Sequence, residues 1–140
     1  MEKWLGKYSN LFYALMRIIA GFLFACHGAQ KLFGVLGGTK QEAPLMIAAG
    51  VIEFIGGILI AVGLFAGYVA FIASGQMAVA YFMRHSPAGF WPITNRGELA
   101  VLFCFVFLYI ASRGSRTLSI DALIAKARGA EIQKAEVDKK

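Results

Sequence analysis

Cysteine is nearly absent from this chain, with Cys26 and Cys104 the only two in 140 residues and no CxxC pair. That excludes a disulfide framework and a thioredoxin-like motif. Histidine is as sparse, and neither His27 nor His85 has a second His or a Glu-x-x-His spacing on its own segment. No metal centre is expected from such a set. Charge is scarce as well: 16% of residues are Asp, Glu, Lys or Arg, where a soluble domain carries about 25%. The net charge of +6 is not a general basic field, because seven of the 14 Lys and Arg follow the last apolar block, from Arg113 to Lys140. Nucleic acid is therefore not an expected partner; a flank facing anionic headgroups explains the bias.

What is present is apolar. Hydrophobic residues make up 59% of the chain, and mean hydropathy is +0.65. They come in long blocks rather than amphipathic stripes, which one soluble core of this size cannot hide. A spanning helix needs roughly 20 mostly apolar residues. Four blocks qualify or come close: residues 11–33, 44–64, 67–83 and 98–112. Pro44 suits a first helical position; Pro87, Gly89 and Pro92 break the chain between the third and fourth blocks. The fourth is short for a bilayer and has to tilt or thin it.

The expectation is an all-α, membrane-spanning four-helix bundle over residues 1–116, because lipid leaves no other way to satisfy the backbone. Lys3, Lys7, Arg113, Arg116, Lys126 and Arg128 outnumber Lys40, Arg84 and Arg96 on opposite sides. The positive-inside rule then puts both termini in the cytoplasm, with the first span an uncleaved anchor. Residues 117–140 read as a cytoplasmic tail: Ser119 caps a short amphipathic helix carrying Ile120, Leu123, Ile124 and Ala127, followed by a frayed charged end.

Ionisable groups inside spans are costly, and they face the bundle interior. Arg17, Ala20, Phe24, His27 and Lys31 fall on one helical face. So do Ser74, Ala78, Tyr81 and His85, and likewise Glu98, Leu102, Phe105, Tyr109 and Ser112. Glu53 lies near the middle of the second span, and at about 1.5 Å per residue Arg17 is about 5 Å nearer the cytoplasm. An Arg17–Glu53 ion pair is the expected buried contact. His27, Lys31, His85 and Glu98 fall near the outer leaflet as a second cluster. The structural reading is that such groups fix helix register; the functional reading is proton exchange through imidazole and carboxylate. Cys26 is about 180° from Arg17 around its helix, so a Cys26–Cys104 redox pair is not expected. Gln76, mid-span, is free to bond another helix or a second protomer, so a homo-oligomer is one expectation.

In order along the chain come Arg17-Ile18-Ile19-Ala20-Gly21, His27-Gly28-Ala29-Gln30-Lys31-Leu32-Phe33-Gly34, Gly50-Val51-Ile52-Glu53-Phe54-Ile55-Gly56-Gly57 with Gly63-Leu64, Met77 through Tyr81 to His85 with Pro87, Gly89 and Phe90, and Gly97-Glu98 with Gly114 and Ser119-Ile120-Asp121. This ordered set resembles the DoxX family of small bacterial membrane proteins. Arg96 stands where relatives often have a small or polar residue. The family's polar positions map onto Arg17, His27, Lys31, Glu53, His85 and Glu98. The family name refers to similarity with DoxD, a membrane subunit of thiosulfate:quinone oxidoreductase. The resemblance implies an inner-membrane subunit linked to quinone or thiol chemistry, working with other redox proteins. Under it, His27, His85, Glu53 and Glu98 are the catalytic candidates, and His27, Tyr81 and His85 the candidates for holding a quinone. A haem held by His27 and His85 ranks below that. A non-catalytic scaffold and small-molecule or proton transport are the competing functions.

Overall fold

In a computed structural model, described for the backbone of residues 1–137 and the side chains of residues 1–130, the chain is helical with no strand among the described residues. The charged end at Asp138, Lys139 and Lys140 lies outside them. A short α1 (Glu2–Leu5) and a 3₁₀ turn (Gly6–Tyr8) lead into α2 (Ser9–Phe33). Next come α3 (Pro44–Val62) and α4 (Ala66–Ala80), the latter continued by a π-helical turn (Tyr81–His85) and a 3₁₀ turn (Ser86–Ala88). A single turn, α5 (Pro92–Asn95), precedes α6 (Glu98–Arg113) and a peripheral α7 (Ile120–Val137).

Three helical runs are long and apolar enough to cross a membrane: Glu2–Phe33, Pro44–Val62 and Ala66–Ala88. At 16 residues, α6 rises about 24 Å, short of the ~30 Å hydrocarbon core. Pro44 does start α3 in the first turn, where its missing N–H costs nothing. Large apolar side chains such as Phe22, Phe71, Phe82 and Phe105 point outward and are more than 60% exposed. For a water-soluble protein that surface would be a large unpaired patch; hydrocarbon is its natural solvent.

Packing inside is close. Helix α2 runs along α3, and α4 along α6. Backbones of α2 and α3 touch because glycine allows it: a Cβ on Gly28 would lie 2.3 Å from the Phe54 nitrogen, and one on Gly57 2.4 Å from the Ala25 nitrogen. This small-residue contact fixes the register of the pair. The core between the two helix pairs is Phe24, Ile60, Ala73, Phe103, Phe107 and Ile110.

The expected inward face of α2 is the buried one, with Arg17, Ala20 and Phe24 buried and His27 and Lys31 half-buried. That of α6 is corrected. Ala100, Phe103, Phe107 and Ile110 face inward, whereas Leu102 and Phe105 are more than 60% exposed and Tyr109 is 47% exposed. In a helix apolar all round, periodicity carries no inside–outside contrast. Close packing against the small residues of α4, together with the Ser74 hydroxyl donating to the Cys104 carbonyl at 2.8 Å, decides the face instead.

Candidate functional site

Polar side chains gather where α2 ends. Glu53 on α3 is 1% exposed. The Lys31 ammonium pairs with its Oε1 from the last turn of α2. The Gln76 amide of α4 donates to the same oxygen at 2.8 Å and to the Ala49 carbonyl at 3.3 Å. Lys31 is partly solvent-accessible while Glu53 is not, so a flexible stem carries the cation in to a fixed carboxylate. Its second oxygen, Oε2, has no partner among the described residues.

The expected Arg17–Glu53 pair does not form. Arg17 lies two turns along α3 from Glu53, about 10 Å at 1.5 Å per residue. There it is wholly buried and donates to the carbonyls of Ile60 and Ala61, the latter at 2.7 Å. Its other amino group donates to the Leu118 carbonyl at 2.7 Å. Carbonyls in the last turn of a helix have no intrahelical donor, and a cation there also complements the helix dipole. Arg17 therefore closes the end of α3. Around it, Ser119 caps α7 through the Ala122 N–H at 3.1 Å, in keeping with its sequence position, and the Asp121 carboxylate accepts from the Phe65 N–H at 2.9 Å. Gly63, with φ +72°, makes the turn, and a Cβ there would strike Ser119 and Arg17. Counting depth along two ideal spans misses the pairing because the glycine contact offsets α2 along α3.

At the opposite end, His27, Lys31, Glu53, His85 and Arg96 line a single cavity of about 210 Å³. Its apolar wall includes Phe24, Met77, Leu99 and Phe103. His27 stands edge-on to Phe103 with centroids 6.2 Å apart. His85 ends the π-helical turn, its Nδ1 3.1 Å from the Asn95 carbonyl. Four of the candidates, His27, Lys31, Glu53 and His85, are thus brought together. Glu98 is exposed at the start of α6 and outside the cavity. Tyr81 is buried behind it, its hydroxyl donating to the Phe90 carbonyl and accepting from the Asn95 amide at 3.3 Å.

Helical phase does not single out three contributors to this end of the molecule. Gln76 carries one signal in the sequence, a lone amide in mid-span. Asn95 knits the connecting loop, donating to the Gly89 carbonyl at 2.6 Å and accepting from the Gly97 N–H at 2.8 Å. Arg96 follows in a left-handed conformation, φ +60°, a geometry uncommon for a residue with a Cβ. Its only sequence signal is its position before Gly97. A larger groove of about 1070 Å³ at the Arg17 end is lined chiefly by apolar residues such as Phe65, Tyr68, Phe71 and Leu108. Arg113 and Asp121 line it as well, but no histidine does.

Among the described residues, no three His, Cys, Asp or Glu side chains come together as a metal site would need. Cys26 and Cys104 are both free.

The DoxX family model matches residues 12–86. A Haemophilus influenzae relative, named only "Uncharacterized protein", is 39% identical over 125 residues, covering 84% of this chain and 93% of its own. A Bacillus subtilis relative, named "Putative oxidoreductase CatD", is 29% identical over 122 residues, 81% of this chain and 87% of its own. No solved structure matches.

Proposed function

This chain belongs to the DoxX family of membrane proteins, and on that premise we propose that it is a redox-linked subunit of a bacterial inner membrane that binds a quinone-type ring. The observation that carries the proposal is the meeting of His27, Lys31, Glu53, His85 and Arg96 around one small aromatic-walled cavity. At about 210 Å³ it is below the ~300–1,000 Å³ of a drug-sized pocket. It suits a single six-membered headgroup whose tail runs out into lipid. Phe24 and Phe103 offer the ring faces and edges, and the imidazoles and carboxylate give the hydrogen-bonding and proton-exchanging groups that quinone chemistry uses. The chain supplies no electron carrier of its own in this scheme, so a partner redox protein completes it. The name of the Bacillus subtilis relative, "Putative oxidoreductase CatD", is in keeping with that role.

In the same proposal α2, α3, α4 and α6 cross the bilayer as a four-helix bundle, both termini are cytoplasmic, and the cavity lies towards the outer leaflet. The segment after residue 116 stays on the cytoplasmic side. Arg17 is assigned a structural role, because every acceptor it meets is a backbone carbonyl.

Detergent-solubilised protein should bind a short-chain benzoquinone in calorimetry. His85→Ala should weaken that binding about tenfold or more, the scale of a lost polar contact. Unchanged binding in both His27→Ala and His85→Ala would reject the cavity as the site.

A further inference from the structure

Two half-buried or buried arginines stand at this end of the bundle, and only one of them is engaged. Arg17 donates to three carbonyls. Among the described residues the Arg113 side chain meets no carboxylate, and its Nε is buried without a partner. The end of α6 does not call on it. The carbonyls of Tyr109, Arg113 and Gly114 accept instead from the Ser112 hydroxyl, the Arg116 Nε–H and the Tyr13 hydroxyl. The Arg113 guanidinium lies against the rings of Tyr13 and Tyr109, 5.3 and 5.9 Å from their centroids.

Arg113 lines the groove of about 1070 Å³ between the start of α4 and the end of α6. Its apolar wall includes Tyr68, Phe71, Ile72 and Leu108, all exposed. One carboxylate, Asp121, lines it too. That carboxylate already has its donors within the chain: Oδ2 accepts from the Phe65 N–H at 2.9 Å and from the Ser115 hydroxyl. Both lie at the N-terminus of α4, where a negative charge complements the helix dipole. Arg116, exposed, adds a second cation beside Arg113. The groove thus joins a long apolar wall to a cation that lacks an anion. The short rise of α6 draws headgroups in towards that cation, because a span shorter than the hydrocarbon core thins the bilayer around it.

We propose that this groove holds an anionic phospholipid, with an acyl chain along Phe71, Ile72 and Leu108 and the phosphate on Arg113. Basic pockets between spanning helices recognise such headgroups. A zwitterionic lipid brings its own ammonium beside the phosphate, which Arg113 and Arg116 repel. The inference requires only that α4 and α6 stand in a bilayer, and it does not rest on the ring-binding reading.

The test is native mass spectrometry of the full-length protein released from detergent micelles that contain equal phosphatidylglycerol and phosphatidylethanolamine. The wild-type chain should retain one phosphatidylglycerol, preferred at least about fivefold, the scale of one basic side chain near an anionic headgroup. Arg113→Gln should remove the preference. Lys126→Gln, exposed on α7 and outside the groove, should change it less than about twofold. Should Arg113→Gln misfold for want of its tyrosine contacts, Gly67→Leu serves instead. A Cβ at Gly67 meets no atom closer than 3.4 Å, and the larger side chain on the groove wall should expel the lipid with Arg113 untouched. Equal retention of the two lipids by the wild type, or undiminished selective retention in Gly67→Leu, overturns the assignment. A lipid-free dimer that Gly67→Leu dissociates would give the groove to a second copy of the chain and overturn it too.

Discussion

Arg17 and Lys31 lie on one face of α2 and end in different roles. Arg17 is buried against the end of α3 and meets only carbonyls; Lys31, half-buried near the C-terminus of α2, meets Glu53. The difference is measurable as coupling. Arg17→Leu removes the side-chain donor to the Ala61 and Leu118 carbonyls and leaves the Ile60 carbonyl only the Gly63 N–H, and should cost about 2–4 kcal/mol in a detergent unfolding titration. Combined with Glu53→Leu its effect should add within about 0.5 kcal/mol, as for residues that share no contact. Lys31→Met with Glu53→Gln should instead cost less together than the two single changes summed, because each alone strands a charge. Additivity in the Lys31 cycle, or strong coupling in the Arg17 cycle, would restore the pairing that depth counting favours. The inward faces are readable from helical phase at His27, Lys31 and His85. Which cation meets Glu53 is not, since that depends on how far one helix slides along the other.

That sliding is set between α2 and α3, at the element scale, by glycine. Gly28→Ala would drive a methyl into the backbone of Phe54 and should destabilise the protein by about 1–3 kcal/mol. The same change should separate Lys31 from Glu53 and so lower ligand affinity. Gly75 on α4 makes a matched control, since nothing lies within 4 Å of where its Cβ would sit. Gly75→Ala should be neutral or stabilise by up to about 1 kcal/mol through helix propensity. Equal effects at the two positions would show that the α2–α3 contact does not govern the register. Helix existence is plain in the sequence, down to Pro44 in the first turn of α3. The facing of α6 is not: in a segment apolar on every side, the choice of Phe103 and Phe107 over Leu102 and Phe105 is made by shape.

For the whole molecule, the two ends divide the labour. One end is a clasp of Arg17, Ser119 and Asp121 over the α3–α4 turn; the other holds the polar cavity. The proposed topology puts the clasp inside and the cavity outside. With Cys26 and Cys104 replaced by alanine, single cysteines at Lys3 and Lys126 should react with an impermeant maleimide only after the cell is opened, and those at Glu42 and Trp91 in intact cells. Labelling of Lys3 from outside would invert the molecule. Composition makes the membrane evident, whereas the ring-sized cavity is not foreseeable, because the left-handed Arg96 that lines it belongs to the α5–α6 connection, which Asn95 holds together.

The most direct measurement is to photolabel the protein in native membranes with an azido-benzoquinone and map the adducts by mass spectrometry. A ring held among His27, Glu53, His85 and Arg96 predicts adducts confined to residues 24–31, 53, 77–85 and 96–103, suppressed by excess unlabelled ligand and lost in His85→Ala. Adducts along the apolar groove at the Arg17 end near Phe71 and Leu108, or scattered labelling that excess ligand does not suppress, would contradict it.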